Sequence, residues 1–297
     1  MKEFDLADKE PLVSVLMVSF NHADFIVDAI SSVLDSTYQN FELIVVDDCS
    51  KDDTYRIALA FTETDSRVKV YQNEVNIGDY PNRNKAASYA SGVYLKYLDG
   101  DDMIYTDSLK IMVSAMERYR DAALGLQQFI LDDVKPYPIF TTNSWALKTH
   151  FLERNVLGTG PSGAIIKTSV FLEAGGFSGE KFVGDSDLWI RIMYKYPLVL
   201  LQPSLVWWRI HPAQESKNEA KDKLMIIVRY KLYKKFLQDP LLPMSEPEKA
   251  IALKKLNRRF LTNVLKKMMD GDKLSYCFQL LKESSISLKE VAKATFH

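Results

Sequence analysis

Three carboxylates stand within four consecutive residues, where Asp99, Asp101 and Asp102 surround Gly100. Crowded carboxylates repel one another unless protons or a cation intervene. Their oxygens are also the ligands of Mg²⁺ and Mn²⁺, and Mg²⁺ is commonly held by one or two carboxylates together with substrate phosphates. The alternative is an acidic turn in which one aspartate caps the next helix. The cluster taken alone is compatible with both interpretations.

Two further polar clusters are equally ambiguous. Asp47 and Asp48 suit hydrogen bonds from a nucleotide base or ribose, because a carboxylate only accepts. Aspartates at such a position are also common as Asx turns or N-caps. The segment 82–85 (Asn-Arg-Asn-Lys) suits contact with a phosphate or base, or forms an exposed helix start. The position of these residues in the fold has to distinguish between the two interpretations of each cluster.

Apolar runs of strand length precede the clusters. Residues 12–20 (LVSVLMVSF) and 41–46 (FELIVV) have the continuous apolar character of strands buried on both faces of a parallel sheet. Strands are also predicted at 67–71 and 93–98, and helices near 25–34, 54–61, 82–91 and 107–119. This alternation predicts an α/β fold with an open, mostly parallel, Rossmann-like sheet flanked by helices.

Polar residues follow three of the predicted strands directly. In an open α/β sheet, ligands bind beyond the carboxyl ends of the strands. We therefore expect these residues to converge on one rim: Ser19, Phe20 and Asn21 after the first strand, Asp47 and Asp48 after the second, and Asp99 to Asp102 after the fourth.

The second half of the chain changes character. Strands are predicted at 164–166 and 199–208, and a helix at 188–194. From residue 219 onward the pattern is helical, with breaks at prolines and at Gly271. This predicts an all-helical C-terminal extension with segments at 219–238, 246–269, 272–283 and 287–295.

The charge of the chain is unevenly distributed, although the net charge is only −1. Residues 217–297 carry 18 Lys+Arg against 9 Asp+Glu, whereas residues 1–216 carry 20 against 30. The basic region is either a helical subdomain that packs on the rest of the chain or on a second subunit of a homo-oligomer, or a surface held at an anionic membrane. Both interpretations stay open.

Composition excludes several classes of protein. Hydrophobic residues make up 47% of the chain, so a disordered protein is excluded. Cys49 and Cys277 form neither a disulfide framework nor a zinc spacing. The N-terminal residues lack a secretory signal, and no apolar run reaches the ~20 residues of a membrane helix. We expect a cytoplasmic protein, either free or peripheral at the inner face of the membrane.

The order of several blocks resembles the family 2 glycosyltransferases, which have the GT-A fold. The blocks are VSVLMVSFN, ELIVVDDCSKDDT, NIGDYPNRNKAASYASGVYLKYLDGDD, GPSGAIIK, GGF, GDSDLWIRI and WWRIHPAQES. The resemblance covers residues 11–216 and implies a GT-A domain at 1–216, followed by the helical region 217–297. Within that domain it implies a nucleotide-binding half at about 11–120 and an acceptor-binding half at about 121–216.

The resemblance also implies roles for residues that match the family's blocks. Asp101 would be the first metal ligand, with Asp99 and Asp102 sharing the second-ligand and ribose contacts. His211 would be a further ligand or a structural histidine. Contacts to the nucleotide sugar would come from Ser19, Phe20, Asn21, Asp47, Asp48, Arg83, Asn84, Asp99 and Gly100.

Asp185 falls where the family has its catalytic base. Asp187 is the competing candidate, although an aspartate there could instead be the N-cap of a helix that begins at Leu188. The family often has a glutamate before the base, whereas this chain has Gly184.

The implied reaction is transfer of a sugar from a nucleotide-diphosphate sugar, UDP by family habit, to a hydroxyl of a glycan or lipid-linked acceptor. Mn²⁺ or Mg²⁺ would be the cofactor, and nucleic acid would not be a partner. One base without a covalent nucleophile implies a single, inverting displacement. The chain lacks the Gln-x-x-Arg-Trp motif of processive members, which favours one sugar per event in bacterial polysaccharide or glycolipid biosynthesis.

Two other functions remain as alternatives. The first is a non-catalytic sugar-nucleotide or glycan-binding protein on the same fold. The second is a Rossmann dehydrogenase, which is disfavoured because Ser19-Phe20-Asn21-His22 follows the first strand where a G-x-G-x-x-G sequence would be required.

Overall fold

The computed structural model describes residues 10–130, 135–212, 219–269, 274–284 and 286. The predicted helix 287–295 and the predicted boundary between residues 216 and 217 lie outside these ranges. Within them, no helix combines the length and apolar composition that crossing a bilayer requires.

The strands of the described residues form one large and one small sheet. Their bounds are β1 (Val13–Ser19), β2 (Phe41–Asp47), β3 (Val68–Gln72), β4 (Tyr94–Asp99), β5 (Met103–Ile104), β6 (Leu124–Gln127), β7 (Ile139–Thr141), β8 (Ala164–Lys167), β9 (Leu198–Leu201) and β10 (Val206–Trp207).

Helices connect the strands and form the C-terminal part of the described chain. Their bounds are α1 (Ile26–Leu34), α2 (Thr54–Ala60), α3 (Asp79–Ser88), α4 (Ser108–Arg118), α5 (Asn143–Leu152), α6 (Thr168–Glu173), α7 (Gly184–Ile192), α8 (Glu219–Gln238), α9 (Glu246–Met269) and α10 (Leu274–Ser284). Short 3-10 turns lie at Phe61–Glu63 and Pro161–Gly163.

The large sheet has eight strands in the order β3-β2-β1-β4-β8-β6-β9-β7. The first four strands pair in parallel, and β6 with β9 is also a parallel pair. The register places Ser19 opposite Asp47 and Val18 opposite Asp99. The mostly parallel sheet that the sequence predicts is confirmed, and its parallel half brings three polar strand ends to the same edge.

Helices cover both faces of this sheet. Alternate residues of β1 point to opposite sides, so Leu16 and Val18 belong to one core and Val15 and Met17 to the other. Helices α1, α2 and α4 cover the second side, whereas α3, α6 and α7 cover the first. Burial on both faces explains why β1 and β2 read as continuous apolar runs.

The C-terminal helices pack against the sheet domain. Leu232 and Phe236 of α8 and Ala252 of α9 belong to the same core as the covered face of the sheet. A smaller core joins α8, α9 and α10 through Ile227, Tyr230, Phe260, Val264, Cys277 and Leu280. Packing on the rest of the chain, one of the two interpretations of this region, is therefore observed.

Three elements differ from the predictions by more than one or two residues. Helix α3 begins at Asp79, so segment 82–85 lies inside the helix and the interpretation as an exposed start is wrong. The predicted strand 199–208 is divided into β9 and β10, and β10 pairs with β5 in the small sheet. Helix α7 begins at Gly184, so Asp187 is not its N-cap and that interpretation is also wrong.

A buried carboxylate joins three strands at their amino ends, at the opposite edge of the sheet from the polar strand ends. Glu42 of β2 accepts hydrogen bonds from the hydroxyls of Ser14 at 2.6 Å and Ser91 at 2.7 Å, and from Lys69 at 2.7 Å. Burial alone would raise the pKa of Glu42, but these bonds outweigh burial and lower the pKa to about 2. The charged form is therefore stabilised by folding.

We expect Glu42→Gln to destabilise the protein at neutral pH by on the order of 3 kcal/mol, as a shift of this size implies. Because the folded-state pKa is depressed, the contribution is complete above pH 4.5 and disappears as the pH falls toward 2. Urea unfolding at several pH values measures it. The stability difference from wild type should close on acidification, and a pH-independent difference would contradict the assignment. The exposed Glu63→Gln serves as the control.

Candidate active site

The acidic cluster lies at the end of β4, in the turn that leads into β5. Asp99, Asp101 and Asp102 each offer an oxygen, and these oxygens lie within 4.8 Å of one another. Burial, reinforced by the charges of Asp99 and Asp101, raises the pKa of Asp102 to about 8. A hard divalent cation would relieve this repulsion, so the donor set fits Mg²⁺ or Mn²⁺.

Arg83 of α3 orients the first carboxylate of the cluster. Its guanidinium donates to Asp99 at 2.6 Å and to Asp79 at 2.8 Å, and the side chain is almost fully buried. Burial opposes the charge, but the two carboxylates outweigh it and raise the pKa of Arg83. The Ser162 hydroxyl donates to the other oxygen of Asp99 at 3.2 Å. Within the described ranges, the Arg83 Nη1 is buried without a hydrogen-bond partner, and a ligand oxygen would satisfy it.

The segment after β10 closes over the other two carboxylates. The His211 Nε2 lies 3.0 Å from Asp101, and the ring packs on Phe25. The backbone N–H of Arg209 donates to Asp102 at 3.1 Å, while its guanidinium donates to the carbonyl of Asp101 at 3.0 Å. His211 was predicted from the sequence, whereas Arg209 was not, although it lies only two residues before His211.

The ends of β1 and β4 meet closely because one residue has no side chain. A Cβ at Gly100 would lie 2.9 Å from both the Cβ of Ser19 and the Nδ1 of His22. The Ser19 hydroxyl and this His22 nitrogen are buried and have no hydrogen-bond partner in the part of the chain that the structure describes. Ser19 and Gly100 therefore lie together against the acidic cluster, and Phe20 is partly exposed beside them.

Asn21 and Asp47 hold the loops at the rim. Asn21 has a left-handed backbone (φ 57°), and its side-chain amide oxygen Oδ1 accepts from the backbone N–H of Lys51 at 2.8 Å. Asp47 is fully buried and accepts from the N–H of Ser50 at 2.9 Å and from Gln72 at 3.1 Å. Both side chains thus fix the loop after β2.

Asp48 organises the segment that leads into α3. Its carboxylate accepts from the N–H groups of Ile77 at 2.9 Å and Gly78 at 2.8 Å, and from Asn73 at 2.7 Å. Gly78 has φ +89°, a conformation that favours glycine, and allows the chain to turn into the helix. Asn73 is a buried site residue that the sequence interpretation missed.

Asn84 is directed away from the strand ends. Its amide donates to the carbonyl of Phe177 at 2.8 Å and accepts from the N–H of the same residue at 2.9 Å. Asn84 therefore fastens the loop after α6 to α3, and the structure does not bring it to the acidic cluster.

Asp185 lies in the first turn of α7, where Tyr80 of α3 covers it. The Tyr80 hydroxyl lies 3.5 Å from the carboxylate and 3.4 Å from the backbone nitrogen of Asp185. Burial raises the pKa of Asp185, while the N–H of Ser186 and the charges of Arg229 and Arg83 oppose the rise. A Cβ at Gly184 would lie 2.8 Å from the Tyr80 ring, so this glycine makes room for the tyrosine.

Asp187 is engaged in a structural ion pair. It binds Arg191 one turn later at 2.8 Å, and the same guanidinium donates to the carbonyl of Gly176 at 2.7 Å. Asp187 is buried, whereas Asp185 is partly exposed. Of the two aspartates, Asp185 is the one available to a substrate.

A buried lysine beneath the cluster was also missed. Lys96 of β4 donates to the carbonyl of Tyr97 at 2.6 Å and to that of Ser162. Burial lowers the pKa of Lys96 to about 7, although Asp99 and Asp102 favour its charged form. The signal in the sequence was a lone charge inside an apolar strand.

Comparison with known proteins identifies the family of this chain. The model of the glycosyl transferase family 2 matches residues 14–174, more than half of the chain. The chain therefore belongs to glycosyl transferase family 2.

Two relatives illustrate the extent of sequence similarity. The UDP-Glc:α-D-GlcNAc-diphosphoundecaprenol β-1,3-glucosyltransferase WfgD of Escherichia coli is 44% identical over 105 residues, which are 35% of this chain and 41% of that protein. The glycosyltransferase GlyG of Streptococcus pneumoniae is 32% identical over 115 residues, which are 38% of each chain. The matched segments span less than half of either relative.

Solved structures share the fold over nearly the whole chain. S. aureus TarS in complex with UDP-GlcNAc superposes with a TM-score of 0.72 at 20% identity, covering 91% of this chain and 79% of that one. A Pyrobaculum calidifontis mannosyltransferase in complex with GDP-Man and Mn²⁺ has a TM-score of 0.62 at 15% identity, covering 97% and 84%. The predicted GT-A fold is confirmed.

We expect Asp101→Asn to weaken Mn²⁺ binding in the presence of UDP by about tenfold or more, because it removes one hard anionic ligand and the partner of His211. Isothermal calorimetry with Mn²⁺ as titrant measures the change. The exposed Asp121→Asn removes the same charge elsewhere and should bind as wild type. Equal affinity in both variants would exclude Asp101 as a ligand.

Proposed function

We propose that this protein transfers a sugar from a nucleotide-diphosphate sugar to an acceptor hydroxyl, with a divalent metal at the acidic cluster and Asp185 as the base. One observation carries the proposal. Helix α3 contacts both groups, because Arg83 binds Asp99 and Tyr80 covers Asp185. A single rigid helix thus sets the distance between a metal-ligating cluster and a base, as a displacement reaction requires.

The donor would bind at the rim of the parallel strands. Asp101, with Asp99 or Asp102, would hold Mn²⁺ or Mg²⁺, and His211 is placed to add a nitrogen ligand. A bound metal would act as a Lewis acid that neutralises charge on the departing diphosphate. The nucleotide would bind at the part of the rim formed by Ser19, Asn21, Asp47 and Asp48, where the two aspartates also hold the neighbouring loops. We assign residues 11–120 to the donor and 121–216 to the acceptor.

The residues of the chain account for the proton and the bond changes. The acceptor oxygen forms a bond to the anomeric carbon, the bond from that carbon to the diphosphate breaks, and its electron pair stays on the diphosphate. Asp185 takes the proton of the attacking hydroxyl. Of the two candidate aspartates, Asp187 is tied to Arg191, which leaves Asp185 as the base and favours inversion by direct displacement.

Similarity suggests the class of substrates. The description of the E. coli relative names a UDP-sugar donor and a diphosphate-linked lipid acceptor, and that of TarS names UDP-GlcNAc. We therefore propose a UDP-sugar donor and a glycan or lipid-linked acceptor in bacterial polysaccharide biosynthesis, at the cytoplasmic side of the membrane.

We expect Asp185→Asn to lower the rate of sugar transfer by about 10²–10⁴-fold, since the amide cannot accept the proton. Affinity for UDP with Mn²⁺ should remain that of wild type. A radiolabelled UDP-sugar transfer or hydrolysis assay measures the rate. Asp187→Asn, which breaks the pair with Arg191, should lower the melting temperature and leave the chemistry largely intact. If Asp185→Asn kept full activity, the protein would be a binding protein or would use another base.

The activity should also decline on acidification at a pH above the usual range of an aspartate, because burial raises the pKa of Asp185. The groups that face this carboxylate are Tyr80 and Arg83 from α3 and Arg229 and Tyr233 from α8. Arg229→Gln removes a positive charge that favours the ionised form, so its acid limb should move to higher pH. A kcat–pH profile measures both effects, and an unmoved limb in the variant would contradict this placement of Arg229.

A further inference from the structure

A cleft of about 290 Å³ lies between α5 and the C-terminal helices, away from the acidic rim. Helices α8 and α9 form most of its wall, and residues of the sheet domain close the other side. The lining is partly apolar and partly cationic: Ile226, Leu256 and Phe260 are apolar, Arg229, Arg259 and Lys267 are cationic, and His150 and Asn155 belong to the sheet domain.

Aromatic packing gives this cleft a fixed shape. The Tyr233 ring lies 5.3 Å from His150 and 5.4 Å from Phe151, both at the end of α5. On the opposite side, the rings of Tyr230 and Phe260 lie 4.4 Å apart. The cleft is therefore built on a packed interface between the two parts of the chain, and it is not a gap between loose surface side chains.

The charge of the cleft is not balanced. Neither Arg229 nor Arg259 forms an ion pair with a carboxylate in the part of the chain that the structure describes. Burial and these two arginines lower the pKa of His150 to about 3, so the imidazole is neutral. Its Nδ1 accepts from the N–H of Leu157 at 3.4 Å, which leaves the proton on Nε2, a buried donor with no hydrogen-bond partner among the described residues. Two guanidinium groups and this N–H suit a phosphate.

Helix α8 links this cleft to the proposed base. Arg229 and Tyr233 are one turn apart on α8. The positive charge of Arg229 lowers the pKa of both Asp185 and His150. Burial raises the pKa of Tyr233; Arg229 and a hydrogen bond with Ser186 oppose this rise, and Asp185 adds to it. Tyr233 therefore connects the wall of the cleft to the first turn of α7.

We propose that this cleft binds the phosphate group of a phosphate-linked sugar acceptor and so presents the acceptor hydroxyl to Asp185. The inference rests on the proposed function, because it names the acceptor class of the same reaction. A free sugar phosphate and a lipid-linked sugar diphosphate share this chemistry. The apolar wall beside the arginines, formed by Ile226, Leu256 and Phe260, favours an acceptor with a hydrocarbon chain next to the phosphate.

The probe is a decyl diphosphate ester of N-acetylglucosamine, titrated into protein saturated with UDP and Mn²⁺ so that the donor site is filled. We expect Arg229→Gln/Arg259→Gln to weaken its binding by at least about tenfold, as the loss of charged hydrogen bonds implies. Both side chains are exposed, so the fold should persist. Arg258→Gln, the neighbouring exposed arginine that does not line the cleft, should bind as wild type.

Two further ligands identify which group is recognised. Decyl N-acetylglucosamine without phosphate should bind weakly to every variant, whereas N-acetylglucosamine 1-phosphate should bind with lower affinity but the same dependence on the arginines. Equal binding of the probe by the double variant, or equal binding of the ligand without phosphate, would overturn the proposal. The proposal would also be overturned if the double variant bound the probe as wild type does and lost only its binding to phosphatidylglycerol vesicles. The arginines would then recognise a membrane surface.

Failure of the proposed function gives a different result. In that case Asp185→Asn would leave transfer or donor hydrolysis unchanged while the probe still bound in an arginine-dependent manner. Failure of the cleft proposal alone would leave an Asp185-dependent reaction and arginine-independent binding of the probe.

Discussion

Repulsion among three carboxylates at the end of β4 is the constraint on which the site depends. Each carboxylate is held by a different part of the chain: Asp99 by Arg83 of α3, Asp101 by His211, and Asp102 by the N–H of Arg209. These contacts fix the positions of the oxygens, but burial, together with the charges of Asp99 and Asp101, still raises the pKa of Asp102 to about 8. The folded chain therefore maintains an arrangement that a divalent cation would stabilise.

Helix α3 connects the acidic cluster with Asp185. Arg83 faces the acidic cluster, and Tyr80, less than one turn earlier, faces Asp185. Gly184 removes the side chain that would collide with the Tyr80 ring, so α7 approaches α3 closely. In the proposed reaction, this helix would hold donor and acceptor at a fixed separation, and the barrier would fall because little orientational freedom remains to be lost.

The two proposed substrate sites would bind phosphate by opposite means. At the acidic rim, a diphosphate would require a bridging cation, because the carboxylates repel it. In the cleft beside α8 and α9, Arg229 and Arg259 would contact a phosphate directly. Such a difference in charge would help to keep donor and acceptor in their own sites. The acidic rim would repel an acceptor phosphate that has no metal, and the cationic cleft would repel the metal that accompanies the donor diphosphate.

The sequence by itself determined the parallel sheet and the meeting of its strand ends. Continuous apolar runs predict strands buried on both faces, and polar residues directly after them must share one edge of the sheet. Only the tertiary structure decided that Asp187 is tied to Arg191, that Asn84 faces Phe177, and that Arg209 and Lys96 belong to the site. The reason is physical: hydrogen bonds and charge pairs between helices and loops depend on how the elements pack. The spacing of residues along the chain does not determine that packing.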